Sequence, residues 1–229
     1  APKVEKQIIS FKNGLAELPQ LLVAALGEAV HANVSISSIQ KIRAGWRVDW
    51  NGKTHIYDEV LLTTPAHALN KLPLDESLQK ALQPLLKINY SPVSVLTLAF
   101  KQSDVDHPLD GFGVLVPEYE GRKILGVLFP ASLFASRVPA GEVLLTVFLG
   151  GERQAELAVP DKDTLLATVL PELKELFGTT GEPTFSHHRH WPRAIPQYNL
   201  GYGKMLAQMD AIEKKFAGLK LAGNYRDGI

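Results

Sequence analysis

Apolar residues recur at helical spacing between Gly14 and Val30. Leu15, Leu18, Leu22, Ala25 and Leu26 mark the apolar side, and Gly27 weakens the last turn. The period then changes to two. Val34 to Ile39 alternates with Val34, Ile36 and Ile39 apolar, and Trp46 to Trp50 alternates as WRVDW. Asn51-Gly52 follows, a strong hairpin signal, so Thr54 to Tyr57 is predicted to return as the partner strand. Glu59 to Pro65 reads as a short buried strand ended by its proline. Ser77 to Leu86 reads as a helix disturbed by Pro84. Strands are predicted at Val93 to Phe100, Phe112 to Val116, Ile124 to Phe129, Val143 to Leu149, Thr184 to His190 and Leu219 to Ala222. Helices are predicted at Asp161 to Phe177 and Gly203 to Phe216. For the first of these, Asp161 or Asp163 is the N-cap, Gly178 lies just past the end, and Pro171 introduces a kink. No repeat, low-complexity tract or long linker interrupts the series.

Composition narrows the functional classes. The chain has 229 residues, with 24 Lys+Arg against 24 Asp+Glu, so bulk charge gives no attraction to nucleic acid. Hydrophobic residues are 45% and charged residues 21%, enough apolar mass for a packed core. Asn89 to Phe100 carries no charge, but Ser91, Pro92 and Ser94 break it, and it falls short of the ~20 apolar residues of a bilayer-spanning helix. With no cysteine, disulfide scaffolds, thiolate metal sites and cysteine nucleophiles are excluded. The chain opens on APKVEKQIIS, which lacks the regions of a signal peptide, and stops at LAGNYRDGI where a turn has just opened. Both ends read as positions inside a longer protein.

Local motifs carry little chemistry. His187, His188 and His190 suggest a metal cluster, but in a strand His188 and His190 share one face and His187 takes the other. Arg189 and Arg193 would repel a cation, so polar residues near a pocket are the simpler reading. Asp104, Asp106 and His107 read as a solvated loop. Ser132 and Ser136 lack the nucleophile-elbow pattern. The sequence contains no G-x-G-x-x-G and no P-loop. These residues define a mixed α+β protein with a pocket and no metal site.

Four stretches in order say more: FKNGLAELPQLL, LLTTPAHAL, GFGVLVP…ILGVLFPASLFASRVPAGEVLLTVFLGG, and WPRAIPQYNLGYG…LAGNYRDGI. Together they make the chain, from Phe11 onward, resemble the porphyrinogen-oxidizing branch of the FAD-dependent amine-oxidase superfamily, the protoporphyrinogen and coproporphyrinogen III oxidases. The Gly-Phe-Gly…Pro and Trp-x-x-x-Ile-Pro-Gln-Tyr stretches belong to that branch. The Pro-Ala turn and the Gly-Asn…Gly-Ile ending are shared more widely with amine oxidases and desaturases. Family members begin with a dinucleotide-binding turn that this sequence lacks, so the resemblance makes the chain a central-to-C-terminal portion.

The resemblance implies a fold with a mixed-sheet substrate domain flanked by helices and a partial FAD-binding lobe. The partial lobe takes residues 1–70, the substrate domain 71–189, and the chain returns to the FAD lobe over 190–229. It implies that a porphyrinogen is oxidised to the porphyrin in haem synthesis, with FAD as cofactor and oxygen as acceptor. Val34 is expected to open the strand whose backbone receives the adenine. Trp191 is expected close to the flavin, with Asp227, Gly228 and Ile229 at the cofactor-facing turn and Thr64 and Pro65 at the end of a nearby strand. Leu115, Leu128 and Phe134 are the candidates for an apolar slot around the macrocycle, and no catalytic acid or base is expected, because the flavin carries the redox chemistry. Arg193 could meet a propionate or a phosphate. The chain on its own is expected to hold no tightly bound FAD and to be inactive. The complete protein is expected in the cytoplasm or at the inner face of the cell membrane. The alternatives are another flavin amine oxidase, a carotenoid desaturase, or a non-catalytic porphyrin-binding fragment.

Overall fold

The computed structural model describes residues 8–228, with the side chain of Asp227 outside that description. The chain divides into two compact units. A sheet unit comprises the chain through His31 and Pro92–Pro192, and a meander unit comprises Ala32–Ser91 and the chain from Arg193 on. Where the sequence places boundaries near residues 70 and 189, the chain crosses between units at 31/32, 91/92 and 192/193.

In the meander unit, β1 (Ile36–Ile42), β2 (Gly45–Trp50) and β3 (Lys53–Tyr57) form an antiparallel meander. Asn51 and Gly52 both adopt positive φ, 49° and 71°, the conformation that a two-residue type I′ hairpin demands. The first strand starts at Ile36, so Val34 lies two residues ahead of it and does not open it. Short β4 (Val60–Leu62) pairs in parallel with β10 (Leu219–Leu221), matching Leu219 with Val60 and Leu221 with Leu62. Helix α2 (Glu76–Leu82) is capped by Asp75, whose carboxylate accepts the Leu78 N–H at 2.9 Å. Pro84 ends it by forcing a 3-10 turn over Gln83–Lys87. With α5 (Gly203–Lys215), these elements enclose a core that includes Trp46, Leu69, Leu82, Met209 and Leu219.

The sheet unit is built on a five-stranded sheet in the order β6-β7-β8-β5-β9. The strands are β5 (Tyr90–Lys101), β6 (Gly113–Leu115), β7 (Gly126–Leu128), β8 (Glu142–Gly150) and β9 (Phe185–Pro196). Helix α4 (Lys162–Phe177) covers one face. Its Leu165, Val169, Leu173 and Phe177 pack against Leu96, Leu98, Phe100, Leu145 and Val147. Asp161 caps its start through the Thr164 N–H at 2.7 Å, Gly178 ends it in the left-handed region at φ 62°, and the helix runs through Pro171. The last sheet strand extends six residues beyond its predicted end at His190. It lies on the sheet edge, where the missing N–H of Pro192 need not break a ladder. Short helix α3 (Pro130–Leu133) packs on β8 and has no counterpart in the sequence-based reading.

Helix α1 (Glu17–Leu26) is the exception to this packing. None of its residues is buried, and Leu18, Leu21, Leu22, Val23 and Leu26 all face solvent. It belongs to the sheet unit, whereas the sequence places it in the partial FAD lobe. Arg137 ties the segment before it to the unit by donating to the Phe11 carbonyl at 3.2 Å and to the Ser10 hydroxyl.

Candidate ligand sites

In the meander unit, the carboxyl ends of parallel β4 and β10 lie side by side, the place where open parallel sheets receive ligands. Thr63, Thr64 and Pro65 leave the first strand there. The Thr64 hydroxyl oxygen is buried with no hydrogen-bond partner among the described residues. Beyond β10, Gly223 at φ 140° opens the short turn α6 (Asn224–Asp227), and Gly228 closes it at φ 91°. Two tyrosines hold this turn. The Tyr198 hydroxyl donates to the Asn224 carbonyl and the Tyr202 hydroxyl to that of Tyr225, with the two rings edge-to-face at 5.0 Å. Burial, reinforced by the neighbouring tyrosines, pushes Tyr202 up to about 12, so its donated proton stays in place at neutral pH. Arg226 ties the turn to α5 through Asp210 at 2.9 Å and Glu213 at 3.3 Å.

Of the residues that the sequence names, Thr64 and Pro65 follow the end of β4, and Asp227 and Gly228 end the turn that begins after β10. Ile229 lies outside the described residues. Val34 is half-buried in the coil before β1. Sequence reasoning missed Tyr198 and Tyr202, although both stand inside the quoted PQYNLGY stretch, four residues apart.

In the sheet unit, the face opposite α4 is open. Two rows cross it: Leu115, Gly126, Phe148 and Val95, then Gly113, Leu128, Thr146 and Thr97. Glycine keeps this surface flat. A Cβ on Gly126 would stand 3.3 Å from the Leu115 Cδ2, and one on Gly113 would stand 3.2 Å from the Leu128 Cδ2. Each leucine therefore lies across a bare stretch of the neighbouring strand. Leu115 is 87% exposed and Leu128 half-buried, so neither is a residue of the closed core. Phe134 follows α3 and is half-buried, with the Arg137 guanidinium carbon 5.7 Å from its ring centroid.

Trp191 belongs to the solvent side of β9, 46% exposed, with the Arg189 guanidinium carbon 4.6 Å from its ring centroid. The opposite side of that strand carries His188 and His190, as the two-residue period predicts. The His188 Nε2 and the His190 Nδ1 each lie 3.2 Å from the fully buried Ser94 Oγ, which donates its proton to the Val159 carbonyl at 2.8 Å. A hydroxyl has one proton, so both imidazoles donate to it. Among the described residues no group of three or more His, Asp or Glu side chains is placed to hold a metal ion. His107 is fixed in the same structural way. Its Nδ1 accepts the Leu109 N–H at 2.9 Å, and its ring packs edge-on against Phe177.

The two units give a mixed α+β fold, with a parallel strand pair followed by a glycine turn in one and a five-stranded sheet in the other. A crystal structure from Exiguobacterium sp. 255-15, assigned as a protoporphyrinogen oxidase, superposes with a TM-score of 0.78 at 22% identity, covering 96% of this chain and 48% of that one. The flavin containing amine oxidoreductase profile matches residues 3–228, and the chain belongs to that family. It is 38% identical over 177 residues to the mitochondrial protoporphyrinogen oxidase of Nicotiana tabacum, covering 76% of this chain and 35% of the relative. It is 24% identical to the coproporphyrinogen III oxidase of Staphylococcus aureus, covering 97% of this chain and 48% of the relative. The chain thus spans between about a third and a half of the length of these relatives.

Proposed function

We propose that this chain is part of an FAD-dependent porphyrinogen oxidase of haem synthesis. The observation that carries the reading is the open face of the sheet unit. A porphyrinogen is a broad apolar macrocycle, and a surface of Leu115, Leu128, Phe148 and Val95 flattened by Gly113 and Gly126 suits such a ligand through shape and apolar contact. Phe134 adds an aromatic edge to the same unit. The relatives' names support the substrate class. The sheet unit then serves the substrate and the meander unit the cofactor.

Features of the meander unit support a flavin dinucleotide there. The carboxyl ends of two parallel strands, the unpartnered hydroxyl of Thr64 and the glycine-flanked turn offer polar contacts and close backbone approach. Thr64, Pro65, Asp227, Gly228 and Ile229 would hold it, with Val34 contributing backbone. The part of Trp191 rests on the resemblance. A bound flavin would supply the hydride acceptor for porphyrinogen oxidation, with oxygen as the final electron acceptor. This chain's residues bind, orient and exclude water. No helix among the described residues is long and apolar enough to cross a membrane. A location in the cytoplasm or at the inner face of the cell membrane is the reading that the resemblance supports for the complete protein.

Anaerobic reduction of the complete protein tests the reading. Protoporphyrinogen IX or coproporphyrinogen III should bleach the flavin and yield a fluorescent porphyrin when air is admitted. The faster of the two fixes the substrate. Bleaching by a primary amine, with neither porphyrinogen reacting, would overturn the proposal.

A further inference from the structure

Apart from the strand ends and the open sheet face, the meander unit contains a polar cavity of about 400 Å³ whose lining includes His67, Asn70, Lys87, Tyr90 and Arg193. No carboxylate among the described residues lines it. Neither Lys87 nor Arg193 forms an ion pair among the described residues. The His67 ring is held rigidly. It stands edge-on to Tyr90 with centroids 4.7 Å apart, and Tyr90 is fixed in turn by accepting the Ala66 N–H at 3.1 Å. His67 Nδ1 is fully shielded and has no partner among the described residues. A shielded nitrogen without an acceptor is best left unprotonated, which puts the ring's proton on Nε2 and makes it a donor.

Charge points the same way. Burial first, then the positive charges of Arg193 and Lys71, hold His67 below its ordinary value. The cavity therefore gathers cationic groups around a neutral imidazole donor, with no protein counter-charge to balance them. Lys87 and Arg193 are both exposed, so water screens their mutual repulsion, and neither is committed to a protein carboxylate among the described residues. A guanidinium beside a lysine and an imidazole N–H is the donor set that fits planar or tetrahedral oxyanions.

We infer that this cavity binds a small oxyanion, a carboxylate or phosphate group, through Arg193, Lys87 and His67. The inference uses residues of the meander unit alone and extends the reading of Arg193 as a residue that could meet a propionate or a phosphate, and because its test contains no flavin and no porphyrin, its failure is distinguishable from failure of the flavoenzyme reading.

The test is a titration of the 229-residue chain at fixed ionic strength, following histidine ring resonances by NMR. The His67 signal is identified by its loss in His67→Gln. Inorganic phosphate and propionate are the two probes. A saturable shift of the His67 signal with either is expected. A response to phosphate alone assigns the cavity to phosphorylated ligands, and a response to propionate alone assigns it to carboxylates. Arg193→Gln should weaken the response at least ten-fold without moving the unfolding midpoint, and Lys87→Gln should weaken it less. Lys53→Gln, which does not line the cavity, should leave it unchanged. No saturable shift with either probe, or a shift equally strong in Arg193→Gln, would overturn the inference.

Discussion

Ser94 joins two histidines that the sequence places on one face of a strand but cannot connect to a residue some ninety positions away. In Ser94→Ala, two imidazole N–H groups and the Val159 carbonyl lose their shared partner. A loss of about 1–3 kcal/mol is expected in urea unfolding, the usual penalty for orphaned, partly buried polar groups. His188 and His67 set a pH dependence. His188 is held below its ordinary value of 6.5 by burial and then by His190 and His187, and His67 by burial and then Arg193 and Lys71. For groups depressed in the folded state, the unfolded chain binds more protons as pH falls below about 6.5. Their contribution to stability is therefore complete above that pH and lost as pH falls through the folded-state values. Unfolding midpoints measured from pH 7.5 to 5 should fall, and His188→Gln should flatten the slope. An unchanged slope would show that His188 titrates alike in both states. Phe134 carries the third prediction. It is half-buried, so Phe134→Ala should destabilise by less than the ~3–5 kcal/mol of a core phenylalanine. In the complete enzyme it should raise KM for the porphyrinogen about ten-fold, equivalent to ~1.4 kcal/mol. A large stability loss with unchanged KM would make Phe134 a packing residue. At this scale the sequence identifies residue types on shared faces. It does not reveal tertiary partners such as Ser94, or the two tyrosine hydroxyls that hold the terminal turn, because those contacts have no period.

Among the elements, those fixed by local chemistry were legible: the Asn51-Gly52 hairpin with its two positive φ angles, and α4 between its Asp161 cap and Gly178. Less legible were elements whose limits depend on tertiary position. The edge strand continues through Trp-Pro-Arg because only an edge tolerates it, and the first meander strand begins after Val34. The turns α3 and α6 are four residues each, too short to show a helical period. The flatness of the open face depends on two glycines. In Gly126→Ala the new methyl would come within 2.6 Å of the Val114 backbone carbonyl and 3.3 Å of the Leu115 Cδ2, so β6 must move. An overpacking cost of about 1–3 kcal/mol is expected, together with weaker porphyrinogen binding by the complete protein. Unchanged binding would remove the flat face from the substrate site. Helix α1 gives the opposite expectation. Leu22 is 53% exposed, and nothing in α1 is buried, so Leu22→Gln should reduce binding of an apolar dye while leaving the unfolding midpoint within about 0.5 kcal/mol. A marked loss of stability would show that α1 packs into the folded chain.

Taken as a whole, the molecule has one hydrophobic core per unit, the first around Trp46, Leu82 and Met209 and the second around Leu98, Val147 and Val169. The boundaries between units were poorly legible because two of the three crossings fall inside strands, β5 and β9, where no glycine or proline cluster marks a linker. The cofactor depends on the molecule at this scale. In the proposed reading the strand ends and the turn at Asn224–Asp227 would contact a flavin dinucleotide, but an FAD pyrophosphate is ordinarily held by a glycine-rich turn at a helix N-terminus, and no G-x-G-x-x-G occurs among the 229 residues. Without those backbone N–H groups, the remaining contacts must offset the loss of ligand freedom alone, which small contact sets rarely do. The isolated chain is therefore expected to purify colourless and to release added FAD on gel filtration, while the complete protein should be yellow with stoichiometric flavin. Absorbance spectra of the two preparations at equal concentration decide the matter. A flavin band of equal height in the isolated chain would mean that the β4–β10 ends and the tyrosine-held turn suffice for tight binding, and the weight assigned to the pyrophosphate turn would have to move to Thr64 and Gly228.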